Sequence, residues 1–393
     1  MKIDRPAKSL ILDPRDPVFY RDPYSAYAAL QREMPVFKWE DYGFWCFTRH
    51  DDVSAMLRDR RFGREVPDRV IPEHLTQFYQ FEAHSLLELE PPRHTRLRNL
   101  VNRAFVSRAI ERLRPRLEAL VHELIDGIIA KGQAELIADY ATPIPVTMIA
   151  ELLGVPGAMG PQLLQWSHDM VAMYQSRRDR GIEEAAEAAT IAFTDFMRGY
   201  IADRRKSPGE DLLSDLIAAE SQDGKLSEDE LITTAILLLN AGHEATVHAM
   251  ANGIKALLEV GHRGEITAGH VEEVLRYDAP LHLFTRYAKQ DVEFAGIKFA
   301  KGEQIGLLLG AANRDPQRFP NPNRFDPIRT PNPHVSFGAG IHFCVGAPLA
   351  RLELEVALPI LFARLPGLHI ASPPRYRDSY HFHGLEALHL AWR

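Results

Sequence analysis

The chain has 393 residues, 46% of them hydrophobic and 25% charged, with a formal net charge of −7. Such totals are ordinary for a globular protein able to bury a core around a sizeable cofactor, and the mildly acidic balance argues against general nucleic-acid binding. Two distant cysteines, Cys46 and Cys344, allow no framework of bridges, and no stretch approaches the ~18 apolar residues of a membrane span. The expectation is a cytoplasmic protein without a membrane anchor.

In chain order, a proline-punctuated start leads to a short helix in DPYSAYAALQREMP. The aromatic, alternating VFKWEDYGFWCFT reads as a small hairpin, and RHDDVSAMLRD returns to helix. Residues 62–88 show no clear period and read as a long irregular segment. Helical patterning dominates from Pro91 to about Gly261, broken by ATPIPVTMIAELLGVP and RRKSPGEDL. Another helix is expected from Thr267 to Tyr277. Short strands follow near Thr285–Ala288, Val292–Phe294 and Gln304–Leu309, then proline-rich loops over 316–333, a helix over Ala347–Leu365 and a hairpin-like tail. No repeat or linker appears, so residues 1–393 read as one mainly helical domain with a small β-rich region.

The longest helix can be placed from its ends. Ser227 and Glu230 form a capping box, acids fill the first turn, and Gly261 is a natural stop. Some 33 residues at ~1.5 Å each would span about 50 Å, so the midpoint, ILLLNAGHEATVHAM, should lie at the centre of the molecule. Gly242 and Glu244 are unusual there, because glycine weakens a helix and a central carboxylate needs a partner or a role. His243 reads as a partly exposed helix residue and His248 as a packing or surface residue.

The strongest chemical signal is HVSFGAGIHFCVGAPLARLELE. Glycines allow tight bends beside a bulky group, and a helix N-terminus directly after Cys344 favours a thiolate. These are the needs of a thiolate bound axially to heme iron. A buried structural cysteine is the bland alternative. A dinucleotide loop would need glycine where Phe343 stands, and zinc would need a second ligand at metal spacing.

FGAGIHFCVG resembles the heme-binding signature of the cytochrome P450 family, F-G-x-G-x-[HR]-x-C-x-G, through Phe337, Gly338, Gly340, His342, Cys344 and Gly346. Glu273 and Arg276 in EEVLR match its E-x-x-R pair, and FDPIR offers Arg329 as the third, structural member. The resemblance implies a mainly α fold with heme b between the long helix and the helix after the cysteine, Cys344 as the axial iron ligand, and His94, Arg98, Arg286 and His342 as heme propionate partners. The resemblance runs from Asp22 to the tail; the connection between Glu259 and Val271 is shorter than usual.

In this family the long helix crosses the heme, and its [AG]-G-x-[DE]-T signature opens a kink where oxygen binds and an acid and a threonine organise protons. Here the string is Ala241, Gly242, His243, Glu244, Ala245: the acid is present and the alcohol is not. Thr246 lies ~100° further around the helix. Three readings are open: the substrate supplies the missing group, water or another side chain such as Asn240 replaces it, or the protein acts as a peroxygenase or a non-oxygenating oxidase. A heme-thiolate binding or sensing protein without turnover is a further alternative. The resemblance otherwise implies a monooxygenase using O2, with NAD(P)H electrons arriving through a ferredoxin or flavodoxin and its reductase. Arg93, Arg96, Arg103 and Arg108 are candidates for docking that acidic partner. The substrate pocket is expected among residues 62–88, the central helix, PLHLFT and the tail, with Phe78, Leu238, Ala241, Leu283, Phe284 and Phe382 as walls for a small or medium apolar molecule.

Overall fold

The computed structural model of the protein describes residues 1–105, 110–175, 178–223 and 226–392. Its centre is the helix Glu228–Glu259, 32 residues long. Both halves of the expected capping box are made: Ser227 accepts from the Glu230 N–H, and Glu230 accepts from the Ser227 N–H at 3.0 Å. Gly261 follows with φ +69°, a conformation that suits glycine at a helix end. Its apolar residues pack into the largest core cluster together with helices Pro143–Leu152, Gly160–Val171, Arg180–Lys206 and Ala347–Arg364.

The sheet-rich edge joins distant parts of the chain. The hairpin Val36–Trp39/Phe44–Phe47 forms as expected, and Gln304–Leu308 adds parallel to its second strand. Leu283–Ala288 pairs antiparallel with Gln304–Leu308, setting Arg286 opposite Ile305 and Phe284 opposite Leu307. Register on this strand therefore fixes which side chains reach the interior.

Three local expectations change. Residues 62–88 are not irregular throughout: Phe62–Gly63 is an edge strand, and Thr76–Glu82 is a helix burying Phe78, Tyr79 and Phe81. That helix is too short to display a period in sequence. The supposed break ATPIPVTMIAELLGVP starts on the last residue of a π-helical turn, Ile137–Ala141, and is mostly the helix Pro143–Leu152, whose first residue is a proline that needs no N–H there. The central helix runs as continuous α-helix through Gly242, without a π or 3-10 segment. Gly242 has a packing reason instead: a Cβ there would lie 2.6 Å from Ile149 Cγ1, so glycine lets Pro143–Leu152 approach closely.

Candidate active site

A cavity of about 930 Å³ lies between the central helix and the cysteine loop, and Cys344, His342, Phe337, Gly338 and Gly346 line it. The loop owes its shape to glycine. Gly340 has φ +72°, and a Cβ there would sit 2.5 Å from the Leu57 carbonyl oxygen. The Cys344 N–H donates to the Phe337 carbonyl at 2.9 Å, closing the bend before the helix Ala347–Arg364. Burial pushes the Cys344 thiol up, opposed by the Gly346 and Ala347 N–H groups and Arg98. Cys46 is a different case, fully buried in the sheet and raised by burial alone.

Behind the loop, Glu273 receives two bonds from Arg276, at 2.7 and 2.8 Å. Arg329 adds a third contact at 3.3 Å and Asn332 a fourth at 3.2 Å. Arg276 also donates to the carbonyls of Asn313, Pro322 and Arg324. The sequence-predicted trio thus meets as a buried, hydrogen-bonded network, the arrangement in which buried ion pairs are tolerated.

The residues expected around the propionates also gather. His94 is buried, with neither ring nitrogen partnered, and burial, with His342 and Arg98 nearby, pulls it down to about 4. Arg286 is 1% exposed; its guanidinium donates to the Thr285 carbonyl at 3.1 Å and stacks on Phe284. Burial and Arg64 pull it down to about 9. A buried cation without a carboxylate and an unpartnered buried imidazole are what a site for an anionic cofactor edge should leave open. Arg98 lines the cavity and donates to the Phe343 carbonyl at 2.6 Å. His342 already has a partner, Glu90, at 3.0 Å.

On the opposite wall, every residue from Leu231 to Met250 is buried except Leu237, Ala241, Gly242 and Ala245, and all four line the cavity. Their spacing traces one helix stripe. Ala245 therefore faces the open space where an alcohol was expected, and Thr246, also lining, is turned further into the protein. Asn240 lines the cavity too; its amide nitrogen lies 3.5 Å from Met170 Sδ, while its oxygen has no partner.

Glu244 is held in a basic nest. One oxygen pairs with Arg377 and lies 3.5 Å from His248; the other lies 3.4 Å from His168 and 3.9 Å from His243. Burial would raise its carboxyl, but the bonds from His168 and His248 and the charge of Arg377 hold it well below the usual range. It is a stable carboxylate. His243 and His248 are 3% and 2% exposed, so neither is a surface residue: the nest draws both inward. Arg377 and His168 carried no sequence signal.

Phe78, Leu238, Leu283, Phe284 and Phe382 line the cavity as expected. Its wall is less apolar than the sequence suggested. Arg64 pairs with Glu88 and reaches the Thr285 carbonyl at 3.0 Å; Tyr174 donates to Glu82 at 2.7 Å. Burial and the charge of Glu88 push Glu82 up to about 8. Of the arginines proposed for partner docking, Arg96 is engaged by Glu230 at 3.0 Å and Arg93 donates to the Ala83 carbonyl, so these two serve the fold. Arg103 is exposed, and Arg108 lies outside the described residues.

A family model for Cytochrome P450 matches residues 21–260 and 265–365, its gap falling inside the connection between Glu259 and Val271. Among curated relatives, the chain is 35% identical to the polyketide biosynthesis cytochrome P450 PksS of Bacillus subtilis (strain 168), over 97% of this chain and 98% of the relative. It is 42% identical to the mycinamicin IV hydroxylase/epoxidase of Micromonospora griseorubida, over 88% and 89%. Among solved structures, P450BioI in complex with acyl carrier protein ligated to hexadec-9Z-enoic acid superposes with a TM-score of 0.91 at 34% identity, covering 96% of this chain and all of that one.

Proposed function

This chain belongs to the cytochrome P450 family, and from that premise we propose a monooxygenase that inserts one atom of O2 into a small or medium, largely apolar organic molecule, with Cys344 as the heme ligand. Family members are oxidoreductases that use heme and O2, with electrons from NAD(P)H through a redox partner. No helix among the described residues is long and apolar enough to cross a membrane. The reading places the enzyme in the cytoplasm with a small ferredoxin or flavodoxin as electron donor.

The observation that carries the proposal is one cavity with a lone thiol on its floor, an accessible alanine–glycine stripe above it, and unpartnered His94 with nearly unpartnered Arg286 at its edge. His94, Arg98 and Arg286 would hold the heme carboxylates by charge-assisted bonds. Heme, when bound, supplies iron at which O2 is reduced and a C–H or heteroatom is oxidised. The chain's own residues orient the substrate and manage protons. Ala245 has no proton to give, and Glu244 stays ionised, so protons must reach the reacting oxygen through water or through the substrate. The Asn240 oxygen, without a partner in the same cavity, can hold a water and supports the water route.

The spectrum of the reduced, carbon-monoxide-bound protein tests the ligand: thiolate-type absorption is expected, lost in Cys344→Ser. A compound series scored by spin-state shift and then by product tests the activity. Compounds that bind but yield no oxygenated product with a competent ferredoxin, flavodoxin and reductase would leave a binding protein in place of the enzyme.

A further inference from the structure

Glu244 divides its two oxygens between different partners. Oε1 takes Arg377 and His248, while Oε2 faces His168 and His243. The second half is incomplete as a hydrogen-bonded cluster. His243 sits on the central helix with Nδ1 2.9 Å from the Leu239 carbonyl. A carbonyl only accepts, so the neutral ring carries its proton on Nδ1 and presents a bare lone pair at Nε2. That Nε2 is buried and has no hydrogen-bond partner. A backbone carbonyl fixing the far nitrogen is also the usual second partner of a metal-ligating histidine.

From this we infer a binding site for a divalent transition cation of the zinc class, formed by His168 Nε2, His243 Nε2 and Glu244 Oε2. The three atoms lie within 4.8 Å of one another, on Gly160–Val171 and the central helix. Tetrahedral zinc with bonds of about 2.0–2.1 Å sets neighbouring ligand atoms roughly 3.3–3.5 Å apart. The 3.4 Å contact of His168 with Glu244 already fits, and the 3.9 Å contact of His243 needs a small closure. His168 is the ligand that can move: its side chain is 43% exposed, and it gives the site its opening to solvent. Water can complete the fourth position. Two imidazoles and one carboxylate oxygen suit a borderline cation rather than calcium or magnesium, which demand oxygen.

A second buried cluster, Asp278, His282 and His383, is a poorer host. Asp278 already accepts from Tyr24 at 2.7 Å and faces Lys255 at 3.8 Å, and His282 is bound to Tyr27 at 2.8 Å. Protein donors occupy the places a cation would take, and all three residues are buried.

The test is a zinc titration of the tag-free holoprotein by calorimetry or chelator competition. One equivalent should bind, and His168→Ala, His168→Gln and His243→Ala should each weaken it at least tenfold. The carbon-monoxide spectrum of each variant checks that fold and heme are intact. His168 is exposed, so its two variants keep the experiment readable if His243→Ala does not fold. Unchanged zinc affinity in both His168 variants, or no stoichiometric zinc binding by the native protein, overturns the site. The readout is binding, so it stands apart from whether the protein turns over a substrate.

Discussion

At the residue scale, the proposed reaction turns on Ala245. It is one of four accessible residues in an otherwise buried stretch, and it faces the cavity that also contains Cys344. The neighbouring Glu244 cannot stand in as a stored acid, because Arg377, His168 and His248 hold it ionised. Proton delivery then depends on whatever fills the volume over Ala245, and a threonine side chain would take that volume. Ala245→Thr should leave substrate binding close to native, since Leu283, Phe284 and Phe382 are untouched, while lowering product formed per NAD(P)H by at least about twofold and raising peroxide release. Parallel measurement of NAD(P)H, peroxide and product decides it. A rise in coupling would show an alcohol to be missing rather than replaced.

At the scale of elements, the central helix is set by its neighbours as much as by its own sequence. Gly242 lets Pro143–Leu152 come so near that a Cβ would meet Ile149 Cγ1 at 2.6 Å and Cβ at 3.1 Å. Those atoms are near the root of a β-branched side chain, so the helix as a whole must give way. Gly242→Ala should therefore destabilise by about 1–3 kcal/mol despite alanine's better helix propensity, a drop of roughly 2–4 °C per kcal/mol for a chain longer than about 150 residues. In combination with Ile149→Ala, much of the Gly242→Ala penalty should vanish, because the two positions share one space. Thermal unfolding of the single and double variants gives the coupling; strict additivity would mean that the contact does not govern the approach. The same contact marks a boundary of what the sequence could tell. The capping box at Ser227 and the Gly261 stop are local patterns, and both were legible. A glycine chosen for a partner helix some ninety positions earlier has no local signature, so it read as a weak spot and, through the resemblance, as a kink.

For the whole molecule, legibility follows sequence distance. The cysteine loop and Glu273–Arg276 have fixed short spacings and could be read directly. Arg377 reaches Glu244 across 133 positions and Tyr174 reaches Glu82 across 92, pairings that only the fold creates. Such pairings set the pH response of the folded chain. Glu272, held by His334 and Arg351 against the cost of burial, is down to about 2, and Asp278, held by His383 and Lys255, is lowered further. Their folded forms bind protons less readily than the unfolded chain, so they contribute stability above pH ~4–4.5 that is lost as pH falls through their folded values. Glu82 has the opposite sign. Burial and Glu88 raise it to about 8, against a lesser pull from Tyr174, Arg69 and Arg64. Above pH ~4.5 the unfolded chain has lost this proton while the fold keeps it, so stability falls as pH rises toward 8 and levels off beyond. Glu353, buried with neither oxygen partnered, is likewise raised by burial and adds a decline of the same direction. The lowered carboxylates give the protein an acid flank; between about pH 4.5 and 8 the decline from the raised carboxylates works against a rise, up to about pH 6.5, from buried His282 and His381, both lowered chiefly by burial. Glu82→Gln keeps an amide where the neutral acid stood, and it should flatten the decline between about pH 5 and 8 while leaving the acid flank in place. Unfolding midpoints from pH 3 to 9 measure both flanks; a slope between pH 5 and 8 that persists unchanged in Glu82→Gln would mean that Glu82 is already ionised in the fold.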